Sequence, residues 1–251
     1  MLVLVKQAAN VLDLLEFFAS HKKSATLAEV SQHFGWPRSS TFNILSTLAE
    51  RGFLYEPTAR GGFFPTRRWL VLAQDIAEAE PLPGIALEIL RDIAGRSCET
   101  VWIAAPTGQQ AVFLGVIEAP ASVRYTAQVG NRVPLFATAT GQALLSQMSD
   151  AQRGSILRKT IFERYGEGTP MSIEAVEDSI RESLHRGWFK SASAYHPDLC
   201  GISIPLPING RILALTVAGP LFRVKDRMEE MARHLHEVVA LHLSRDPLPG
   251  S

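Results

Sequence analysis

The sequence predicts two modules in series: an N-terminal winged helix-turn-helix, mostly α with a β-hairpin wing, and a C-terminal α+β domain with an antiparallel sheet. Three observations predict it. Three short helix-patterned segments precede two strand-like runs within residues 1–66. Beyond residue 84, strand-like runs are grouped into hairpins with helices at either end. Between the two parts lies Pro81-Leu82-Pro83-Gly84, which breaks any helix entering it. The expected boundaries are 1–66 for the winged helix-turn-helix, 67–83 for a linker helix and 84–251 for the second domain.

Val11, Leu12, Leu14, Leu15 and Phe18 recur at the spacing that lines one face of a helix, which ends near Ser20. Thr26 followed three residues later by Glu29 forms a capping box, since each side chain satisfies an otherwise unpaired N–H of the first turn. The helix it opens runs from Leu27 to about Phe34 and stops at Gly35. Pro37 then stands at the first position of a third helix, where its fixed φ fits and its missing N–H is not needed. That helix reaches about Glu50, turns Thr41, Ile44, Leu45 and Leu48 inward, and ends at Gly52. Phe53–Tyr55 and Phe63–Thr66 read as strands around the turn Thr58-Ala59-Arg60-Gly61-Gly62.

In the second part the pattern gives a helix at about 84–96, strands at 100–105 and 111–116, and helices at 138–148, 150–159 and 173–186. Strands at 188–194, 201–208 and 211–218 follow, with Asn209-Gly210 as the hairpin turn, and an amphipathic helix at 222–243 closes the chain.

Composition excludes several classes. No run approaches the roughly 18 apolar residues of a membrane span, and Met1 to Val5 lead into a polar helix with no cleavage signal, so a cytoplasmic protein is expected. Cys98 and Cys200 are too few and too far apart for a disulfide framework or a zinc spacing, and Cys98 reads as core. Formal net charge is zero, yet residues 1–74 carry +3 and the remainder −3, the asymmetry of a small DNA-binding module beside a larger acidic one.

With Thr41, Ile44, Leu45 and Leu48 inward, the third helix turns Arg38, Ser39, Ser40, Phe42 and Asn43 outward at the end that enters the major groove in helix-turn-helix docking. Arginine can bond a guanine edge or a phosphate, serine hydroxyls suit phosphates, and asparagine can pair with adenine. Arg60, at the wing tip, is a further candidate for a minor-groove or phosphate contact.

Three stretches carry a family resemblance. They are Thr26-Leu27-Ala28-Glu29-Val30 through Gly35-Trp36-Pro37-Arg38-Ser39-Ser40-Thr41 to Gly52-Phe53-Leu54, then Val129-Gly130-Asn131-Arg132-Val133-Pro134-Leu135-Phe136-Ala137-Thr138-Ala139-Thr140-Gly141-Gln142, and Arg186-Gly187-Trp188 with Ile204-Pro205-Leu206-Pro207-Ile208, Val217-Ala218-Gly219-Pro220 and Arg223. In these the sequence resembles the IclR family of bacterial transcription regulators. The resemblance implies a GAF-like effector domain that binds a small metabolite on its sheet, a homodimer or homotetramer pairing through the DNA-binding domains, and double-stranded operator DNA as partner. It implies control of a catabolic operon, as a repressor in the commonest case, with no cofactor and no membrane. Gln142 departs from a usual lysine, Phe136 from a common histidine, Asn43 from a frequent arginine, and Ala194 to Cys200 from an acidic segment.

The expected effector contacts are Thr138, Ala139, Thr140, Gly141, Cys200, Ser203, Thr216 and Ala218. Small residues at a helix start let a ligand approach free N–H groups, which favours a carbonyl or carboxylate oxygen, and the resemblance puts contacts on the same loop and the facing strands. Phe136, Trp188, Phe189 and Tyr195 nearby point to a largely apolar or aromatic compound with one polar end. The competing class is an enzyme, a GAF-like module with hydrolytic activity using His196, Asp198 and Cys200, but Pro197 breaks that run. His234 and His236, two apart on a helix, diverge and cannot share a metal as an i, i+4 pair would. Gly130-Asn131-Arg132 reads as a turn, so a cyclic-nucleotide module has only fold analogy behind it.

Overall fold

The computed structural model describes residues 5–58, 61–79 and 82–245. The chain divides into two compact units, residues 1–81 and 82–251.

In the first unit, α1 (Lys6–His21), α2 (Leu27–Phe34) and α3 (Arg38–Glu50) precede a hairpin of β1 (Leu54–Tyr55) and β2 (Phe64–Pro65), followed by α4 (Arg68–Ala79). Its core gathers Leu14, Phe17, Phe18, Val30, Leu45, Leu48 and Leu54, each stabilising the fold by about 1.5–3 kcal/mol through burial. The capping box forms as expected: Glu29 N–H donates to Thr26 Oγ1 at 3.3 Å and Thr26 N–H to Glu29 Oε2 at 2.7 Å. The Thr26 N–H and, after it, the Thr26 hydroxyl, which donates to Glu29 Oε2 at 2.8 Å, hold the Glu29 carboxyl below its ordinary pKa. Pro37 is not the first helical residue. It is the N-cap of α3, extended at ψ 137°, and its carbonyl accepts the Thr41 N–H at 3.0 Å, so it fixes the approach to the helix rather than its first turn. Ala25 pairs through both backbone groups with Phe63, and Trp69 Nε1 donates to Phe53 O at 3.0 Å, which ties the wing to α2 and α4.

The second unit contains α5 (Gly84–Ser97), β3 (Thr100–Thr107), β4 (Gln110–Ile117), β5 (Arg132–Pro134), α6 (Ala139–Leu145), α7 (Asp150–Leu157) and α8 (Ile173–Arg186). β6 (Phe189–Ala192), β7 (Leu199–Pro205), β8 (Ala214–Pro220), α9 (Leu221–Val224) and α10 (Met228–Arg245) complete it. The six strands form one antiparallel sheet in the order β5-β4-β3-β8-β7-β6. Asn209 and Gly210 do make the turn between β7 and β8, both at positive φ (51° and 64°), but β7 already ends at Pro205 and β8 begins only at Ala214, and Leu206 N–H donates to Leu213 O across a wider loop. The expected turn at 130–132 is also a strand start, since Arg132 of β5 pairs with Val112 of β4.

Strand alternation gives the sheet two different faces. Val101, Ile103, Cys200, Ile202, Ile204, Leu215 and Val217 face a core shared with α5 and α10. Trp102, Ala104, Phe113, Phe189, Ala214 and Ala218 face a second core built against α6 and α8. All seven residues of α6 are buried. Cys98, expected in the core, is instead exposed: it caps α5 in the left-handed region at φ 55°.

Candidate functional site

On the first unit, the face of α3 opposite its core carries Arg38, Ser39, Ser40, Phe42 and Asn43, all exposed. Thr41, Leu45 and Leu48 are buried beneath them, so the helix is anchored by one stripe and free along the other. Phe42 is 55% exposed, an aromatic side chain with no core role. α2 and the Gly35-Trp36-Pro37 turn set the angle of α3: Trp36 stacks on Phe34 at 4.2 Å and its carbonyl accepts from Ser31 Oγ at 2.8 Å. Arg60 lies outside the described residues.

On the second unit, a cavity opens on the α6 face of the sheet, where β3, β7 and β8 pass under the start of α6. The structure brings five of the eight expected residues to it, Thr138, Ala139, Thr140, Thr216 and Ala218. Register explains the meeting: Trp102 of β3 stands opposite Thr216 of β8, which stands opposite Ser203 of β7. Around Thr140 the polar atoms are linked in a line. Trp102 Nε1 donates to Thr140 Oγ1 at 3.2 Å, Thr140 Oγ1 lies 2.8 Å from Thr216 Oγ1, Thr216 Oγ1 donates to Ser203 Oγ at 2.9 Å, and Ser203 Oγ donates to Leu215 O at 3.0 Å. None of the lining side chains carries a charge at neutral pH. Burial, and secondarily the neighbouring Tyr195 phenol, push the Tyr125 phenol up to about 12, which keeps it protonated. The clear space inside is about 20 Å³, room for a single water.

Three expected contacts are corrected. Cys200 points to the other face, into the core with Ile202 and Ile204, because a one-residue step along a strand reverses the side chain. Ser203 has the right face but is wholly buried behind Thr216, with its hydroxyl committed to Leu215 O. Gly141 serves close packing: a side chain there would collide with the backbone of Leu135. The helix start is also less free than expected, since Thr138 Oγ1 takes the Gly141 N–H at 3.0 Å and Thr138 O takes that of Gln142.

Of the four aromatics expected nearby, only Tyr195 lines the cavity. Phe136 packs on Phe162, Phe189 is core, and Trp188 lies under the Arg186 guanidinium at 4.4 Å. Sequence reasoning missed Trp102 and Tyr125. Trp102 is in phase with Ala104 along β3, but only the β3–β8 register shows that it meets Thr216. Tyr125 lies in the aperiodic segment between β4 and β5, where its carbonyl is held by Thr100 Oγ1 at 2.6 Å. Gln142, in place of the usual lysine, is buried and satisfied, donating to Phe136 O at 3.1 Å and accepting from Ser179 Oγ at 2.8 Å.

Comparison with known proteins decides the class. Residues 7–57 match the IclR helix-turn-helix domain, and residues 75–245 match the bacterial transcriptional regulator IclR C-terminal domain. The chain belongs to the IclR family. The acetate operon repressor of Salmonella typhimurium is 26% identical over 88% of this chain and 82% of its own length. KipR of Bacillus subtilis, an HTH-type transcriptional regulator, is 27% identical over 96% of both. Among solved structures, Thermotoga maritima IclR superposes with a TM-score of 0.77 at 17% identity, covering 96% of this chain and 98% of that one. An IclR homolog from Microbacterium hydrocarbonoxydans, complexed with 4-hydroxybenzoate, gives 0.71 at 23% identity over 96% and 100%.

This IclR-family protein is therefore a transcription regulator with a DNA-binding helix-turn-helix and a C-terminal effector domain, in a family of regulators rather than enzymes. The hydrolytic alternative also lacks geometry. Cys200 faces away from the cavity, burial raises its thiol to about 11, and His196 Nδ1 only accepts the Asp198 backbone N–H at 3.4 Å. His236 bonds Gly187 O, and among the described residues no group of three metal-ligating side chains occurs. No described helix is long and apolar enough to cross a membrane.

Proposed function

We propose that this regulator reads a palindromic operator through Arg38, Ser39, Ser40, Phe42 and Asn43 of α3, with Arg60 on the wing, and is switched by an aromatic compound held in the cavity of the second unit. The division of labour follows the boundaries drawn from the sequence, with 1–66 on DNA, 67–83 as linker and 84–251 on the effector. The single observation that carries the effector reading is the uncharged cavity walled by Trp102, Tyr125 and Tyr195, with Thr140 and Thr216 at one side. Aromatic walls with few polar groups suit a flat apolar ring with one polar end, and a dicarboxylate finds no cation there. The 4-hydroxybenzoate complex of the Microbacterium homolog supports the same class.

Two copies are needed, since each helix-turn-helix reads one half-site and a two-fold operator mirrors a two-fold protein. α4 supports the pairing surface with Leu70, Val71, Leu72 and Ile76 all exposed, as does Leu12 on α1. Control of a catabolic operon as a repressor follows the acetate operon repressor. The effector acts only if it prefers one arrangement of the DNA-binding domains, because equal affinity for both shifts nothing. With about 20 Å³ clear, a ring must displace Tyr125 and Leu199, which also line the neighbouring surface hollow. Calorimetry with hydroxy- and aminobenzoates on wild type and Thr140→Phe tests the pocket, with promoter gel shifts in parallel. Equal binding by the filled, folded variant removes the effector from this cavity.

A further inference from the structure

The line of hydroxyls beside the cavity has only one possible direction. Leu215 O is a pure acceptor, so the Ser203 proton goes to it. Ser203 then has none left for Thr216, so the Thr216 proton goes to Ser203. By the same step the Thr140 proton goes to Thr216, over 2.8 Å, and Thr140 accepts from the indole N–H of Trp102, a donor only. Every hydroxyl proton in the row is spent. What Thr140 and Thr216 still hold is one lone pair each, and both residues line the cavity.

We propose that these two lone pairs read the buried end of the effector, so that this chain selects an aromatic compound whose inner end is an uncharged hydrogen-bond donor, a hydroxyl or an amine. This rests on the aromatic-effector reading above and adds the orientation of the ligand. An acceptor group placed there meets lone pair against lone pair, and can be accommodated only by breaking the row. That turns the Thr140 proton to the ligand and takes from Thr216 the bond it accepted, so one bond is lost for the one gained, whereas a donor adds a bond to an intact row. An ionised carboxylate at that end is worse still, since burial adds its desolvation and no cation lines the wall. The acid or carbonyl end therefore points outward, on the side of Tyr125, whose protonated phenol can donate to it and which borders the surface hollow.

The test holds charge and size nearly constant. Calorimetry on the full-length protein compares 4-hydroxybenzoate and 4-aminobenzoate with 4-fluorobenzoate and 4-methylbenzoate, close in size but without a donor. The donor-bearing acids are expected to bind about tenfold or more tightly, the difference one well-made buried hydrogen bond supplies. Thr216→Val removes one lone pair and releases the Thr140 proton into the cavity, so the preference is expected to shrink several-fold, whereas Thr216→Ser retains it. Thermal melting of both variants confirms that they are folded. Equal affinity for the fluoro and hydroxy acids overturns the proposal and leaves the aromatic reading standing, with the ligand read by backbone N–H groups at the start of α6 instead. Failure of all four acids to bind overturns the aromatic reading, and this inference with it.

Discussion

Glu99 and Arg223 form a two-pronged ion pair whose carboxylate end is buried and whose guanidinium end reaches solvent. Arg223 Nε donates to Glu99 Oε1, Nη2 donates to Oε2 at 2.7 Å, and Nη2 also donates to Val123 O at 3.0 Å. Glu99 is 1% exposed, and any side chain at Gly219 would run into its carboxylate. The pair thus ties the start of β3 to α9 and to the segment that carries Tyr125. Arg223→Met strands a buried charge and is expected to destabilise the protein by about 3 kcal/mol, the lower end for a broken buried pair because the arginine side is partly wet. Urea unfolding measures it, and Glu99→Gln in the same chain is expected to recover part of the loss. A change under about 1 kcal/mol would mean the pair is exposed in solution.

Arg38 begins α3 with its side chain exposed. Arg38→Ala is expected to weaken operator binding by about 1–3 kcal/mol if the guanidinium reads a base, while the melting temperature stays put. A salt series separates the two kinds of contact: loss of a phosphate contact lowers the slope of log K against log salt by about one, loss of a base contact leaves it. Unchanged affinity at fixed salt takes Arg38 out of the interface.

Ile76 is 65% exposed on α4, beside Leu72. If this stripe pairs two copies, Ile76→Glu places two carboxylates inside an apolar contact. Sedimentation at micromolar concentration is then expected to show monomer, with operator affinity falling in step. A variant that remains dimeric moves the interface to the second unit.

The two thiols differ in kind. Cys98 is exposed, whereas Cys200 is buried and its thiol is raised by that burial from 9.0 to about 11. An aromatic disulfide reagent at pH 8 is therefore expected to titrate one thiol per native chain and the second only after unfolding. Below pH 9 Cys200 is protonated folded or unfolded and adds no pH dependence. Between about 9 and 11 the unfolded chain loses a proton that the folded one keeps, so stability falls as pH rises. Two fast thiols in the native protein would contradict the burial of Cys200.

The helices and the winged helix-turn-helix order were legible because their signals are local: the Thr26–Glu29 box, Gly35 and the apolar stripe of α3 each act within a turn or two of chain. The pocket was half legible. Thr138 to Thr140 are contiguous and announce themselves as a run of small residues, and Thr216 and Ala218 share a strand face. Cys200 was misplaced because the facing of β7 depends on where its register begins, and one residue of slip exchanges the two cores. Trp102 and Tyr125 were missed for a related reason, since each meets the cavity through a pairing distant in sequence, Trp102 with Thr216 and Thr100 with Tyr125.

Gly141 has a consequence for how a signal leaves the domain. With no side chain, it lets α6 lie directly on the backbone of Leu135, and the seven buried residues of that helix leave it no slack. The inner wall of the cavity behaves as an anvil. If the effector sits in this cavity as proposed, its volume is taken on the other side, from Tyr125 and Leu199, and the segment bearing Tyr125 leads to Thr100 and, through Val123, to Arg223. Displacement in that case leaves by one side of the cavity, and the response gains its direction from the immobility of the part that does not move.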